Sequence, residues 1–350
     1  MSTKTCIVAG ALGVAGRALL EELESRKEWE IIALSRRKPD FATRARFIAV
    51  DLTDAEKSKR ALEAVGGATH VFFAAYTPRA TLADEVQPNL AMLVNLITAV
   101  ESASPHLRHV AIVHGSKWYG NHLGPYKTPA KEDDPRHMPP NFYYDQQDWI
   151  VAHQRGKPWS WSSWRPHGLC GISVGSAMNQ LTALAVYATI TRELNLPLRF
   201  PGTPGAFKAV YQFTDASLLA RALLWAADSP ACANEAFNLT NGEFERWEHI
   251  WPAIAECFGL RAGPVQTISL ARFMADKEPL WTRIRERQGL KPYALRELVN
   301  WEFTDWVYSS TFDQMSSLGK VRRAGWNEVL DAETMFRRLF GRLRSERIIP

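Results

Sequence analysis

The sequence predicts an α/β protein with a doubly wound parallel sheet and a smaller, mainly helical C-terminal lobe. Three observations predict this class. Apolar segments of strand length alternate with helical segments through the first 165 residues, as they do in parallel sheets. A glycine-rich turn joins the first strand to the first helix. From residue 245 onwards the pattern is mostly helical and rich in tryptophan, which suits a separate lobe.

The glycine-rich turn has the pattern Gly10-x-x-Gly13-x-x-Gly16 and follows a buried apolar strand. Residues without a Cβ let the backbone approach a diphosphate closely, and the helix that begins there turns its positive end towards the phosphates. The turn therefore predicts a dinucleotide site in a Rossmann fold, with Gly10, Leu12, Gly13, Val14 and Gly16 at the cofactor. A tight turn without a ligand is the alternative interpretation.

The second strand, residues 30–35, ends at Ser35, directly before Arg36 and Arg37. Arg36 lies about 20 residues beyond Gly16, where NAD-binding chains carry an acid for the ribose hydroxyls and where arginine accommodates a 2′-phosphate. The pair therefore predicts NADPH rather than NADH, with Ser35 beside it. Two solvated surface arginines are the alternative.

The third strand, residues 46–50, precedes Asp51 and Leu52. Both are predicted at the adenine end of the cofactor, where the Asp51 carboxylate would accept from the adenine amine. Capping of the next helix is the alternative role for Asp51, although Asp54 suits it better. An amphipathic helix is predicted over residues 89–100.

The fourth strand, residues 70–75, leads to Tyr76, so Ala75 and Tyr76 are predicted beneath the nicotinamide. The fifth strand, residues 108–113, ends just before Lys117. Ligands of open parallel sheets lie beyond the carboxyl ends of the strands. A lysine in this glycine- and aromatic-rich stretch is therefore predicted to be functional rather than merely solvated.

A polar, proline-rich loop over residues 121–140 is predicted to close over the same end of the sheet, and it leads into a helix that carries Tyr143. Loops of this length in compact domains tend to be functional. The Tyr-x-x-x-Lys signature that is usual in dehydrogenases is absent, because Gln147 stands four residues after Tyr143 and Asp148 four after Tyr144.

The remaining segments complete the prediction of two interleaved units. A sixth strand over 160–164 ends at Arg165, a helix covers 178–193, and the last central strand covers 235–242. Residues 1–165 are predicted to form the NADPH-binding core, completed by strands near 209–213 and 235–241. Residues 166–350 are predicted to form the substrate-binding lobe and lid.

Composition narrows the class of protein. The 350 residues are 46% hydrophobic, and the four cysteines form no Cys-x-x-Cys pair. This cysteine pattern predicts no disulfide framework, which suits a reducing cytoplasm. The histidines lack His-x-x-x-His spacing, so no metal site is predicted either. The net charge of +5 is not gathered in one run, so no nucleic acid is expected as a partner. No apolar segment has the roughly 18 residues needed for a membrane span.

The last predicted helix, residues 335–344, combines arginines with an apolar stripe of Phe336, Leu339, Phe340 and Leu343. Two interpretations are open. The stripe could dock against the protein's own core and leave the arginines solvated, which is the favoured interpretation, or the helix could lie on a membrane surface.

Several of these segments together resemble the progesterone 5β-reductase and iridoid synthase group, over nearly the whole chain. The resemblance is carried by Arg36-Arg37, by Lys117 in Gly-Ser-Lys-Trp-Tyr, by Tyr143 in Asn-Phe-Tyr-Tyr, and by the stretches Leu-Arg-Phe-Pro-Gly, Glu-Ala-Phe-Asn-Leu-Thr-Asn-Gly and Trp-Glu-His-Ile-Trp. The group consists of NADPH-dependent enone reductases of the extended, atypical short-chain dehydrogenase type. The resemblance implies that the lysine comes from the exit of the fifth strand instead of from the tyrosine's helix.

The resemblance also implies roles for individual residues. Tyr143 and Lys117 would be catalytic, with Tyr143 donating to the enolate oxygen and the lysine cation making the phenol more acidic. Arg165 would contact the cofactor, and the substrate pocket would include Tyr126, Trp118 and His167. The chain departs from the group at His114 and Trp118 beside the lysine, and at Arg-Pro-His-Gly where the group often has Arg-Pro-Gly-Asn.

The expected activity is therefore NADPH-dependent reduction of the C=C bond of a small apolar enone by 1,4-addition of hydride. Two alternatives remain at this point: a carbonyl reductase or alcohol dehydrogenase that uses the same residues, and a non-catalytic NADPH-binding regulator. The expected location is the cytoplasm, with no membrane partner. A homodimer is left open.

Overall fold

The computed structural model describes residues 4–63, 65–176 and 178–350. Its strands are β1 (Lys4–Ala9), β2 (Trp29–Ser35), β3 (Arg46–Ala49), β4 (His70–Phe73), β5 (His109–Val113), β6 (Ser160–Pro166), β7 (Leu169–Cys170), β8 (Val210–Tyr211), β9 (Thr214–Asp215), β10 (Glu235–Leu239) and β11 (Glu245–Arg246). Its helices are α1 (Val14–Glu24), α2 (Ala55–Leu62), α3 (Leu82–Ala103), α4 (Phe142–Gln154), α5 (Gln180–Glu193), α6 (Pro204–Lys208), α7 (Ala216–Ala227), α8 (Trp247–Glu256), α9 (Leu270–Met274), α10 (Glu278–Gln288), α11 (Leu295–Leu298), α12 (Trp301–Ser309), α13 (Gly319–Arg323) and α14 (Ala332–Ser345).

Seven strands form one parallel sheet in the order β10-β6-β5-β4-β1-β2-β3. The chain runs outwards from β1 to β3, crosses back to β4 beside β1, and continues outwards to β10. The strand order therefore reverses between β1 and β4, and ligands of doubly wound sheets bind in the crevice at this point. The predicted Rossmann class is confirmed, and the predicted central strands lie within about three residues of their observed bounds.

Both faces of the sheet are covered. Cys6 and Val8 pack in the apolar layer that contains α1 and α7, whereas Ile7 and Ala9 pack in the layer that contains α2 and α3. Successive side chains of a strand point to opposite faces, so a strand covered on both faces must be apolar throughout. This explains why residues 6–9 of β1 are a continuous apolar run.

A third apolar layer fills the helical lobe and accounts for many of the aromatic residues. Trp247, Trp251 and Trp281 all belong to it and are at most 2% exposed. The indole Nε1 of Trp251 donates to the Leu198 carbonyl oxygen at 2.9 Å, which satisfies the polar end of a buried ring.

The apolar stripe of α14 is buried in this third layer. Phe336, Leu339, Phe340 and Leu343 are each at most 2% exposed, so the docked interpretation is confirmed and the membrane-surface interpretation is wrong. On the other face of the helix, Arg342 donates to the carboxylates of Glu21 and Glu346. Within the described residues, no helix is both long and apolar enough to cross a bilayer.

The prediction that a strand near 209–213 completes the central sheet is wrong. β8 pairs in antiparallel fashion with β11, and β9 pairs with β7, in two small ladders outside the sheet. The reason is aromatic packing: the rings of Tyr211 and Phe213 lie 5.6 Å and 5.1 Å from that of Trp247 in the helical lobe. The predicted strand over 235–241 does join the sheet, as β10 beside β6.

Helix α3 begins seven residues earlier than the predicted residue 89 and passes through Pro88. Its start is set by Thr81, whose hydroxyl accepts from the backbone N–H of Asp84 at 3.2 Å. The earlier start matters for the site, because it brings Glu85 onto the first turns of a helix at the carboxyl edge of the sheet.

We expect Gly10→Ala to lower the free energy of unfolding by about 2 kcal/mol or more. Gly10 has φ +75°, and a Cβ there would lie 2.5 Å from the Ala74 carbonyl oxygen. The measurement is urea denaturation followed by tryptophan fluorescence. Gly289→Ala is the control, because Gly289 has φ +61° with open space around it. Equal losses in both variants would show that the close approach to Ala74 contributes nothing.

Candidate active site

The glycine turn lies at the point where the strand order reverses. Gly13 is the N-cap of α1, and its N–H donates to the Gly10 carbonyl oxygen at 3.0 Å. A Cβ at Gly16 would lie 2.2 Å from the same oxygen, so position 16 requires glycine for close packing. The first turn of α1 carries no acidic side chain, which leaves the positive end of the helix dipole open to an anion.

The two non-glycine residues predicted in this turn face the segment after β7. The Leu12 carbonyl oxygen accepts from the Ser173 hydroxyl at 2.8 Å. A Cβ at Gly171 would lie 2.9 Å from a methyl group of Val14. The turn is thus covered on one side by the chain that leads into the helical lobe.

A cavity of about 490 Å³ lies beyond the carboxyl ends of β2 and β3. Arg36 and Asp51, the residues predicted at the adenosine end of the cofactor, line it together with Lys57 and Arg60 from α2, which sequence analysis did not single out. The Asp51 carboxylate accepts from the backbone N–H and the hydroxyl of Thr53 at 3.0 Å and 2.8 Å. These hydrogen bonds, with a contribution from the Arg36 charge, lower the pKa of Asp51.

Arg37 does not share this cavity with Arg36. Its guanidinium donates to the Val174 carbonyl oxygen at 3.0 Å and lies against Gly175. The two arginines, predicted together at the 2′-phosphate, therefore make different contacts. Ser35 stands at the end of β2, and the Leu52 carbonyl oxygen accepts from Asn95 Nδ2 at 2.8 Å, which fixes the loop after β3.

Lys117 lies just beyond the carboxyl end of β5, in a single 3₁₀ turn over Ser116–Tyr119. Its Nζ is 6.0 Å from the centroid of the Tyr76 ring. Tyr76 follows β4 with Ala75 and stacks on Phe142, the neighbour of Tyr143, at 5.6 Å. The ends of two adjacent strands and the start of α4 thus meet in one place.

Tyr143 stands in the first turn of α4 and is buried. Its hydroxyl points at Gly115, where a Cβ would lie only 3.2 Å from the phenolic oxygen. A larger residue at 115 would push the phenol away. Glycine therefore lets the hydroxyl reach the carboxyl edge of the sheet next to the segment that carries Lys117.

Asn141, which sequence analysis did not single out, joins the two candidate catalytic residues. As N-cap of α4, its Oδ1 accepts from the Tyr143 backbone N–H at 3.1 Å. Its Nδ2 donates to the Lys117 carbonyl oxygen at 2.9 Å. The Asn-Phe-Tyr order therefore starts the helix and fixes it to the lysine's turn.

His114 supports the Tyr143 ring from below, with ring centroids 4.8 Å apart. Its Nε2 donates to Gln146 Oε1 at 3.2 Å, and its Nδ1 accepts from the Ser163 hydroxyl at 2.8 Å. The proton is assigned to Nε2 because a glutamine oxygen can only accept. Burial lowers the pKa of His114 to about 3, so the ring is neutral.

Glu85 is the buried acid of the site, at 6% exposure. It accepts from the Tyr76 hydroxyl and, at 3.4 Å, from the Arg79 backbone N–H. It is distant from Lys117 in the chain, and no motif marks it. Thr81 is a recognisable N-cap residue, so the start of the helix that contains Glu85 could have been predicted. The contacts of Glu85 with Tyr76 and Arg79 could not.

The pKa values of the candidate pair shift in directions that the sequence did not predict. Burial lowers the pKa of Lys117, and the negative charge of Glu85 partly opposes this. Burial, with Glu85, raises the pKa of Tyr143. The expectation that Lys117 makes the phenol more acidic is therefore not met in this structure, because desolvation of the phenolate is the larger effect. Tyr143 is a neutral hydrogen-bond donor.

Arg165 and Trp118 lie against each other at the carboxyl edge of the sheet. The Arg165 guanidinium stacks on the Trp118 ring, 3.8 Å from its centroid, and donates to the Tyr119 hydroxyl at 2.9 Å and the Glu132 carbonyl oxygen at 3.2 Å. Trp118 is 4% exposed and also packs edge-on against Tyr144. Arg165 Nε and Trp118 Nε1 have no hydrogen-bond partner among the described residues, so the cofactor role of Arg165 and the pocket role of Trp118 stay predictions.

The other two predicted pocket residues lie at the same carboxyl edge. Tyr126, in the loop 121–140, stacks on Tyr119 at 6.4 Å and meets Phe312 edge-on. His167 directly follows β6, and its Nδ1 lies 2.7 Å from the Ser116 hydroxyl. The loop itself is fastened through Ala130, whose N–H donates to the Met315 carbonyl oxygen at 2.8 Å.

Known proteins resemble this chain over its whole length. Residues 49–350 match the PRISE-like Rossmann-fold domain family. The short chain dehydrogenase gsfE of Penicillium aethiopicum is 32% identical, with 99% of each chain covered. The (S)-8-oxocitronellyl enol synthase of Nepeta racemosa is 30% identical, over 98% of this chain and 92% of the relative. The 3-oxo-Delta(4,5)-steroid 5-beta-reductase of Arabidopsis thaliana is also 30% identical, with the same coverage.

Solved structures share the fold at lower sequence identity. The UDP-glucose 4-epimerase of Thermotoga maritima has a TM-score of 0.68 at 15% identity, covering 97% of this chain and 99% of its own. The Bordetella bronchiseptica enzyme WbmG, solved with NAD and UDP, has a TM-score of 0.67 at 16% identity, with 100% and 97% covered. The resemblance inferred from the motifs is confirmed: the chain belongs to the PRISE-like Rossmann-fold family and is an oxidoreductase of the short-chain dehydrogenase type.

Proposed function

We propose that the protein reduces the C=C bond of α,β-unsaturated carbonyl compounds with NADPH. The observation that carries this proposal is the buried, neutral Tyr143 hydroxyl at the carboxyl edge of the sheet, against Gly115 and beside the turn of Lys117. The names of two relatives support the same chemistry, since one is an enol synthase and another a reductase of Δ4-3-oxosteroids.

The residues present fit a nicotinamide dinucleotide phosphate. Gly10 and Gly16 let the turn pack tightly against its own backbone, and the N-terminus of α1, whose first turn has no acidic side chain, suits a diphosphate. The cavity of Arg36, Lys57 and Arg60 offers three cations to a 2′-phosphate. When bound, the cofactor would supply the hydride.

Tyr143 would hold the carbonyl oxygen of the substrate by donating its hydrogen bond. Negative charge collects on this oxygen when hydride adds to the β-carbon, so a donor already in place stabilises the enolate as it forms. Because the pKa of Tyr143 is raised, the phenol keeps its proton in the resting enzyme. The Lys117 ammonium would add positive charge beside the same oxygen, and Asn141 would hold both groups in register.

A carbonyl oxygen held at Tyr143 favours reduction at the β-carbon over reduction at the carbonyl carbon. If the oxygen is fixed at Tyr143, delivery to the carbonyl carbon needs a substrate shift of about two bond lengths, and a misplacement of roughly 1 Å can cost about a hundredfold in rate. A carbonyl reductase with the same residues is the second candidate.

The product of a simple enone distinguishes the two candidates. We would incubate the protein with NADPH and 2-cyclohexen-1-one and separate the products by gas chromatography. Cyclohexanone is the expected product. If 2-cyclohexen-1-ol predominates, the protein is a carbonyl reductase, and if neither forms over a range of small and steroid-sized enones, the enone proposal fails.

We expect the preference for NADPH over NADH to depend on Arg36 more than on Arg37. Arg36 lines the cavity, whereas Arg37 is held by the Val174 carbonyl oxygen. Arg36→Ala should reduce the ratio of NADPH to NADH affinity at least about tenfold, as expected for a charge-assisted hydrogen bond. Arg37→Ala is the matched comparison, and both dissociation constants are read from nicotinamide fluorescence. A larger loss of preference in Arg37→Ala would reassign the 2′-phosphate to that residue.

A further inference from the structure

His167 has a buried ring nitrogen that no other group satisfies. The side chain is 4% exposed, and its Nε2 has no hydrogen-bond partner among the residues described. Burial lowers the pKa of His167 to about 3, so the imidazole is neutral. A neutral imidazole has one donor N–H and one acceptor nitrogen, so the unpaired Nε2 is either the donor or the acceptor.

The neighbours of Nδ1 assign the proton to Nε2. The Ser116 hydroxyl lies 2.7 Å from Nδ1 and accepts from Asn121 Nδ2 at 3.1 Å. Asn121 Nδ2 is in turn oriented by Gln314 Oε1, also at 3.1 Å. Within the described part of the chain, the serine proton has no acceptor other than Nδ1, so Nδ1 accepts and Nε2 carries the hydrogen. The unpaired group is therefore a donor.

Tyr211 and Thr214 hold the ring and the backbone of His167. Tyr211 packs on it at 4.6 Å between ring centroids. The Thr214 hydroxyl accepts from the His167 backbone N–H at 3.2 Å and donates to its carbonyl oxygen at 2.6 Å. A buried donor without an acceptor lowers the stability of the folded protein, and a ligand that supplies an acceptor removes this loss.

His167 lies at the same edge of the sheet as Tyr143. Gly115 separates the two: its Cβ position would be 3.2 Å from the Tyr143 hydroxyl and 3.6 Å from the carbonyl oxygen of Pro166, the residue before His167. Ser116, the next residue, contacts the His167 ring. Two neutral donors thus flank the two-residue segment Gly115-Ser116.

We propose that His167 Nε2–H donates a hydrogen bond to a second carbonyl oxygen at this site, separate from the one held by Tyr143. The inference rests on the proposed function. Two ligands present this chemistry: the carboxamide of the nicotinamide, and a substrate that has another carbonyl besides its enone.

The test compares two substitutions that differ only in the donor. His167→Phe keeps an aromatic ring against Tyr211 but removes the N–H. His167→Gln keeps an N–H near the place of Nε2. Dissociation constants are measured by fluorescence for NADPH and for 2′,5′-ADP, which lacks the nicotinamide, and for androst-4-ene-3,17-dione and androst-4-en-3-one on the NADP⁺-loaded protein. The last two compounds differ by one carbonyl.

We expect His167→Phe to weaken one carbonyl ligand about tenfold, the effect of one hydrogen bond, and His167→Gln to stay within about twofold. Weaker NADPH with unchanged 2′,5′-ADP identifies the carboxamide as the acceptor. A lost preference for the dione over the mono-ketone identifies the substrate. Unchanged binding in both arms, equal losses in both variants, or weaker 2′,5′-ADP overturns the proposal. All of these measurements report binding and do not depend on turnover. If the proposed enone reduction is wrong, the protein will bind NADPH but form no saturated product, and this outcome is distinct from those listed for His167.

Discussion

The Tyr143→Phe variant is expected to lose about 10²- to 10³-fold in kcat while it binds NADPH as tightly as the unaltered protein. A donor that acts on charge developing in the transition state contributes an effect of this size. The ring contacts with His114 and Phe142 remain in the variant, because only the hydroxyl is removed. The measurement is the steady-state rate of NADPH oxidation with 2-cyclohexen-1-one, beside a fluorescence titration of NADPH.

Tyr144→Phe is the matched control. Tyr144 is the next residue of the same helix, and its hydroxyl donates to the Trp118 carbonyl oxygen at 2.6 Å and accepts from the His137 N–H at 2.9 Å. Its loss should lower stability by about 1 kcal/mol and leave turnover nearly unchanged. If Tyr144→Phe loses the turnover and Tyr143→Phe keeps it, the donor has been assigned to the wrong tyrosine.

Lys117→Met is expected to lose about 10²-fold in kcat and to abolish an alkaline decline in activity. Burial lowers the pKa of Lys117, so the ammonium loses its proton at a lower pH than an ordinary lysine does. Activity that needs the charge is therefore present below this pKa and falls as the pH rises through it. The measurement is kcat against pH for the unaltered protein and the variant.

Glu85→Gln should shift the same decline to lower pH. The carboxylate of Glu85 raises the pKa of Lys117, so its removal leaves burial less opposed. The Lys117→Met profile separates this cause from titration of Tyr143, since the methionine variant retains the tyrosine. An alkaline decline that persists unchanged in Lys117→Met would exclude the lysine as its source.

The sequence by itself determined the fold class and the position of the glycine-rich turn. These depend on local features: β1 and β2 contain buried apolar runs, and Gly10 and Gly16 allow backbone positions that a Cβ forbids. The sequence also singled out Tyr143 and Lys117 as catalytic candidates, although their chemical state was not accessible. The pKa directions result from burial, which depends on residues far away in the chain.

Only the tertiary structure decided what the polar side chains contact. Arg36 and Arg37 are neighbours in sequence, but one lines a cavity and the other bonds to Val174. The Arg165 guanidinium stacks on the Trp118 ring, a contact between segments 47 residues apart in the chain.

Contacts between distant segments also explain which residues and strands the sequence did not predict correctly. Glu85 comes near Lys117 only because α3 starts at its Thr81 cap beside the end of β4. Ser116 pairs with Nδ1 of His167 and leaves Nε2 without a partner among the described residues. β8 lies outside the central sheet because Tyr211 packs on Trp247. Backbone periodicity is a local property and can be seen in the sequence. Hydrogen-bond partners and desolvation arise from contacts between distant segments, and these exist only once the chain has folded.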